Sequence, residues 1–184
     1  MTINYAGSLD KGREMSHSIY GKIGTIELEN IFSSIQYNSE EYENIYLMGY
    51  SYGGYLSLKF GSYYPNLIKG CLSINAVYDW AYLYLQSSSS QKNLIKKLHG
   101  GTPYEDIGPF EKSSLLNNKS LHPNTVILHG LYDPIIPIEQ MYLFIEEYNK
   151  EIQHNILKNF GHYIALKDLS LFENEVHKLL KTVK

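Results

Sequence analysis

Cysteine is almost absent from this 184-residue chain. The single Cys71 excludes an internal disulfide, and its place in an apolar run reads as a buried structural thiol. Positive charge is not in excess. With 16 Lys and Arg against 19 Asp and Glu the net charge is −3, so a nucleic-acid partner is not expected. No apolar run approaches the roughly 20 residues of a membrane span, and no basic segment followed by an apolar one marks a secretory leader. The expectation is a cytoplasmic protein with no membrane partner. His, Cys and carboxylate residues nowhere have metal-ligand spacing, so neither metal nor cofactor is expected. Internal repeats and long linkers are also missing. Ser87–Ser90 is the one low-complexity tract and reads as a loop.

Short apolar runs alternate with helix-spaced apolar positions. Thr2–Tyr5 reads as a short strand, followed by a polar loop through Gly24. Ile26, Leu28, Ile31, Phe32 and Ile35 mark the buried face of a helix. Ile45–Met48 reads as a buried strand, Tyr52–Tyr64 as a helix stopped near Pro65, and Cys71–Val77 as another buried strand. Helices are predicted over Trp80–Leu85 and Lys92–Leu98, then an irregular stretch over Gly101–Pro123 with a turn at Gly108-Pro109. Thr125–Leu128 and Ile152–Leu157 read as strands. Ile138, Met141, Tyr142 and Ile145 mark one more helix face, and Leu169, Phe172, Val176 and Leu179 the last. Strands alternating with helices imply one domain over 1–184, with a mainly parallel sheet covered on both faces.

Gly49-Tyr50-Ser51-Tyr52-Gly53 follows the first of these buried strands. This is the G-x-S-x-G pattern at a strand-to-helix turn, where glycines allow strand and helix to approach and the serine hydroxyl is left exposed. A serine needs a base, and the base an orienting acid, in the chain order Ser, acid, His. Asp133 lies in a tight loop framed by Gly130 and Pro137, after a strand. Asp79 also follows a strand but reads better as a helix cap, so Asp133 is favoured. His162 stands between the final strand and the last helix, where the base belongs. His17 and His99 fall in loops, His122 before a proline, His129 beside a turn glycine, His154 in a strand and His177 on a solvated helix face; structural roles suit all six. The backbone N–H of Tyr52 is the expected oxyanion donor. No His-Gly-Gly stretch upstream supplies a second.

The chain resembles the catalytic domain of the prolyl oligopeptidase family. The resemblance rests on collinear stretches: Ile3–Ser8 with Gly12-Arg13-Glu14, Gly24–Asn30, Met48–Tyr55, Ser73–Trp80, Gly101-Thr102-Pro103, His129–Pro137 and Gly161-His162. It implies an α/β-hydrolase fold, a Ser51–Asp133–His162 triad, and the Tyr52 N–H in the oxyanion hole. It further implies that Trp80, Tyr82 and Leu83 wall a specificity pocket, although core packing suits them equally.

Two departures stand out. Several family members carry an Arg two residues after the catalytic Asp, where this chain has Ile135. The resemblance also begins at the family's fourth strand, so the first strands are lacking. In the family the third strand lies between the fourth and the fifth, which here are Thr2–Tyr5 and Ile45–Met48. The sheet edge is therefore expected either to pair two copies in a homodimer or to re-pair Thr2–Tyr5 beside Ile45–Met48. The resulting expectation is a serine hydrolase, foremost a peptidase acting on peptide or small acyl substrates through an acyl-enzyme. A small-molecule carboxylesterase, a catalytically impaired remnant or binding module, and an acyl transferase or cyclase stay open.

Overall fold

In a parallel pair each strand must return to the same end of the sheet, so every connection crosses over, and here helices make the crossings. The computed structural model describes residues 1–8, 12–118, 120–148, 152–165 and 169–181. The elements run α1 Gly12–His17, α2 Ile26–Asn38, β1 Tyr46–Tyr50, α3 Tyr52–Tyr63, β2 Gly70–Ile74, α4 Trp80–Gln86 and α5 Ser89–His99. They continue with α6 Gly108–Ser113, β3 Thr125–Gly130, α7 Glu139–Glu147, β4 Gln153–Leu157 and α8 Leu169–Leu180. The four strands are parallel and lie side by side in chain order, with Tyr50 opposite Ile74, Ile74 opposite Leu128, and Gly130 opposite Leu157.

β2 and β3 are buried along their whole length, as strands covered on both faces must be. Their side chains alternate between two cores. Cys71 and Ile127 join the larger one with residues of α2, α3 and α7. Leu72, Ile74, Val126, Leu128 and Leu157 face the smaller one, beneath Phe172 and Val176 of α8. All strands end at one edge, where the β1–α3, β3–α7 and β4–α8 loops collect.

Several expectations change. β1 is half-exposed rather than buried. It is an edge strand, and Tyr46, Met48 and Tyr50 point out, with Met48 67% exposed. Thr2–Tyr5 forms no strand, so it does not re-pair beside β1. Instead a trough of about 880 Å³ runs between Met1–Tyr5 and Ile45–Tyr50, floored by Ile31, Ile35 and Leu56. The N-terminal segment is anchored farther on, where Ala6 N–H donates to Asn30 Oδ1 at 2.8 Å. Two expected loops carry helices. α1 interrupts the first, and α6 begins at Gly108 with Pro109 in its first turn, where a missing N–H is harmless. The serine tract is a helix start: the Ser88 hydroxyl accepts from Gln91 N–H while the Gln91 side chain accepts from Ser88 N–H, a capping box. His17 and His99 are helix-terminal rather than in loops. On α7 Phe144 is buried in place of Tyr142, which is exposed. Of the expected α8 face, Phe172 and Val176 pack on the smaller core; the Leu179 side chain lies outside the described residues.

The two pattern glycines are not equivalent. A Cβ on Gly49 would overlap the Gly53 carbonyl, so the end of β1 touches α3 backbone to backbone. A Cβ on Gly53 would meet nothing closer than the Tyr5 hydroxyl at 4.0 Å. On Gly54 it would press on the Ile74 carbonyl and the Ser73 hydroxyl at 3.0 Å. Gly49→Ala is therefore expected to lose about 3 kcal/mol or more in urea unfolding. Gly53→Ala should stay within about 1 kcal/mol of the parent, because alanine improves the helix. Equal losses in the two variants would contradict this contact map.

Candidate active site

Ser51 sits between β1 and α3 with φ +54° and ψ −116°, a strained conformation for a residue with a Cβ. The strain is held from both sides. Ser51 N–H donates to Ile74 O at 2.8 Å, and Tyr55 N–H donates to Ser51 O at 3.1 Å. Tyr52 opens α3, so its N–H has no earlier carbonyl in the helix to bond and stands at the positive end of the helix dipole.

Asp133 lies in the turn after β3. Its carboxylate is buried and filled: Oδ1 accepts from Ile135 N–H and Ile136 N–H, both at 2.8 Å, and Oδ2 accepts from His162 Nδ1–H at 2.7 Å. Two imidazoles approach this carboxylate, and hydrogen bonding separates their roles. His129 Nε2 is 3.8 Å from Oδ2, but its proton goes to Ile136 O at 3.0 Å, and burial pushes its pKa down. His162 takes the short bond. With its proton on Nδ1, Nε2 is the acceptor and faces the Ser51 hydroxyl at 3.1 Å. The structure thus brings Ser51, His162 and Asp133 into one hydrogen-bonded line. Asp79, the rejected acid, caps α4 by accepting from Tyr82 N–H at 2.6 Å, and also accepts from the Ser114 hydroxyl. Close backbone contact brings the loops together. A Cβ on Gly130 would lie 2.5 Å from Gly161 O, so only glycine lets the end of β3 approach the His162 loop this closely.

Two groups that motif reading passed over support this line. The Tyr52 hydroxyl donates to the buried Glu27, whose other bonds come from Gly24 N–H at 3.2 Å and Thr25 N–H at 3.1 Å. Burial first, then the Glu27 charge, raises the Tyr52 pKa well above its ordinary value. The residue that carries the helix-leading N–H is therefore pinned through its side chain to the start of α2. Glu27 lies in the Gly24–Asn30 stretch of the resemblance and stands three residues after Gly24, a turn-and-first-turn spacing, but neither assigned it a role. The second group is Asn75, just beyond β2, which accepts from Gly130 N–H and donates to Gly161 O and His162 O. It falls within the Ser73–Trp80 stretch of the resemblance, but no motif or periodicity singles it out.

Ser51 and Tyr52 open on a cavity of about 390 Å³. Its walls include Val77, Trp80, Leu83, Ile95, Leu98 and Ile135, and none of the described lining residues is charged. Of the three expected pocket residues, Trp80 and Leu83 line it and Tyr82 does not. Ile135 adds an apolar wall two residues after Asp133. The larger trough along β1 contains none of Ser51, Asp133 and His162. Behind Trp80, His99 stacks on Phe110 at 4.0 Å and bonds Ser113 Oγ at 2.9 Å and Ile95 O at 3.0 Å. Among the described residues no group of three or more His, Cys, Asp and Glu is placed to hold a metal ion, and no described helix is long and apolar enough to cross a membrane.

Residues 1–179 match the profile of the prolyl oligopeptidase family. Over 97% of its length the chain is 25% identical to dipeptidyl peptidase family member 1 of Caenorhabditis elegans, of which it covers 20%. Among solved structures, it superposes on a puromycin-hydrolyzing peptidase of Mycobacterium tuberculosis with a TM-score of 0.81 at 19% identity, covering 98% of this chain and 29% of that one. An acylaminoacyl peptidase of Pyrococcus horikoshii gives 0.79 at 21% identity, over 98% and 32%. These likenesses give the α/β-hydrolase fold. The chain spans about a fifth of the length of the curated relatives it matches.

Burial lowers the His99 pKa from 6.5 to about 4, so this group is neutral when folded and takes a proton more readily when unfolded. Its contribution to stability is complete above pH 6.5 and is lost as pH falls towards 4, by at most about 3 kcal/mol. Urea midpoints measured over that range should fall with pH, and His99→Gln should flatten the slope. An unchanged slope would show that His99 is not buried neutral behind Trp80.

Proposed function

Because this chain belongs to the prolyl oligopeptidase family, we propose that it is a serine hydrolase of peptidase type, cleaving peptide or related acyl bonds through Ser51. The observation that carries this reading is the line from Asp133 Oδ2 through His162 to the Ser51 hydroxyl, at 2.7 and 3.1 Å. His162 Nε2 takes the Ser51 proton as Oγ attacks the substrate carbonyl. The Tyr52 N–H stabilises the oxygen that becomes negative. His162 then returns the proton to the leaving group, giving an acyl-enzyme that water resolves by the same steps. Asp133 holds the imidazole tautomer and stabilises its charged form.

The cavity beside Ser51 selects the acyl side. Its uncharged aliphatic and aromatic walls favour a neutral, bulky apolar residue, since an unpaired charge is costly to desolvate there. Ile135 offers no cation to anchor a substrate carbonyl. That favours a second reading: esterase activity on activated acyl groups exceeds amide hydrolysis. We also read the outer edge of β1, unpaired among the described residues, as a place where a second copy adds its own edge.

Intact-mass measurement after fluorophosphonate treatment tests the central reading. One adduct, absent in Ser51→Ala and in His162→Ala, is expected; a folded chain that takes no adduct overturns it. Phenylalanyl and leucyl anilides and esters should exceed their lysyl and glutamyl counterparts by roughly tenfold or more in kcat/KM, and equal rates would remove the pocket assignment. Sedimentation equilibrium at the monomer mass over all concentrations would remove the edge-paired dimer.

A further inference from the structure

The triad leaves one side chain beneath it unaccounted for. Asn75 follows β2 with φ +48°, in the left-handed region that asparagine tolerates better than other residues with a side chain. It is 1% exposed. Its Oδ1 accepts from Gly130 N–H at 2.8 Å. Its Nδ2 donates to Gly161 O at 3.0 Å and to His162 O at 2.9 Å. Its own N–H donates to Leu128 O at 2.9 Å, which fixes its main chain to β3. Both donors and the acceptor of one amide are thus spent on two loops. Gly130 leads into the turn that carries Asp133, and Gly161-His162 carries the base. The Tyr50 hydroxyl, next to the nucleophile, donates to the same His162 carbonyl, and its ring lies 5.2 Å from the imidazole.

Such a clamp meets a specific need. Asp133 holds only Nδ1, and an imidazole held at one atom can pivot. Nε2 must nevertheless stay within hydrogen-bond reach of Ser51. A ring held at Nδ1 and at its own main chain cannot swing. The loops are also joined by Tyr132 N–H to Phe160 O at 3.1 Å, but that bond lies upstream of Gly161 and leaves the His162 peptide free. We infer that Asn75, with Tyr50 as a second donor, is a positioning residue: it registers the His162 loop against the Asp133 turn and so sets the Ser51–His162 distance. This inference rests on the hydrolase reading above.

The test must separate positioning from an ordinary buried staple. Asn75→Gly keeps the positive φ without strain and deletes the amide, whereas Asn75→Ala deletes the amide and adds strain. Two readouts apply to the full chain. One is the low-field proton resonance of His162 Nδ1–H bonded to Asp133, assigned by its loss in His162→Gln; it requires no turnover. The other is the rate of fluorophosphonate labelling per folded molecule, followed against pH. Asn75→Gly is expected to broaden or abolish the resonance, to slow labelling roughly ten- to a hundredfold, and to displace its pH midpoint. Tyr50→Phe should change both in the same direction by less. A folded Asn75→Gly protein with the parental resonance and labelling profile, and only a lower Tm, overturns the inference. If that variant does not fold, Tyr50→Phe decides by the same criteria, since it removes a donor from the same carbonyl. A parent that shows the resonance but no labelling would defeat the hydrolase reading; the resonance of the variants would still decide the clamp.

Discussion

The backbone contact between the end of β1 and the first turn of α3 governs the rest of the structure. Because Gly49 has no side chain, the Gly53 carbonyl can occupy the space beside it, and the chain reverses within a single residue. That residue is Ser51, and its positive φ follows from the reversal. The same turn leaves the Tyr52 N–H at the head of a helix and its phenol over Glu27. A wider approach of helix to strand would relax the serine, tilt the helix end and separate the phenol from its carboxylate together. One steric fact therefore sets the Ser51 conformation, the helix-leading N–H beside it and the link to α2.

Buried polar groups do the remaining placement, each with most of its partners supplied by the main chain. Glu27 accepts from two loop amides and a phenol. Asp133 accepts from two turn amides and an imidazole. Lys59, whose pKa burial lowers to about 8, donates to the carbonyls of Lys112 and Ser113 at 2.8 and 3.3 Å and holds α6 to α3. Each would be expensive to bury alone. Each is affordable only in one arrangement of the loops around it, so these groups specify loop positions that apolar packing would leave loose.

How much of this could be read from the chain depends on the range of the interaction responsible. Ser51, Asp133 and His162 were legible because each stands in a short local pattern at a strand end, and local patterns survive without a fold. β2, β3, α2, α3 and α7 were legible from apolar periodicity. The apolar run of β1 taken alone misled, because it records chemistry and not neighbours: Met48 is as hydrophobic at an uncovered edge as in a core. The strand order that the family resemblance implies is what pointed to an unpaired edge there. α1 and α6 are six-residue helices, too short to show a period. The equal treatment of Gly49 and Gly53 failed because the pattern names letters, while the contact joins a missing side chain to a carbonyl; Gly54 fills the role assigned to its neighbour. Asn75 and Tyr82 mark the limit. The first acts through partners more than fifty residues away, and the second turns out of the cavity that Trp80 and Leu83 face.

Strand order in this sheet equals chain order, and that has a consequence for how the molecule is made. Among the described residues each strand is added to the open side of the one before it, and none is inserted between strands already paired. A chain leaving the ribosome can therefore lay down its sheet progressively, one crossover at a time. Ser51 is in its elbow early and the Asp133 turn forms with β3, but the imidazole arrives last, on the loop beyond β4. Only then can the hydrogen-bonded line from Asp133 through His162 to Ser51 close. Its closure therefore reports the docking of β4, whatever the earlier strands have already done.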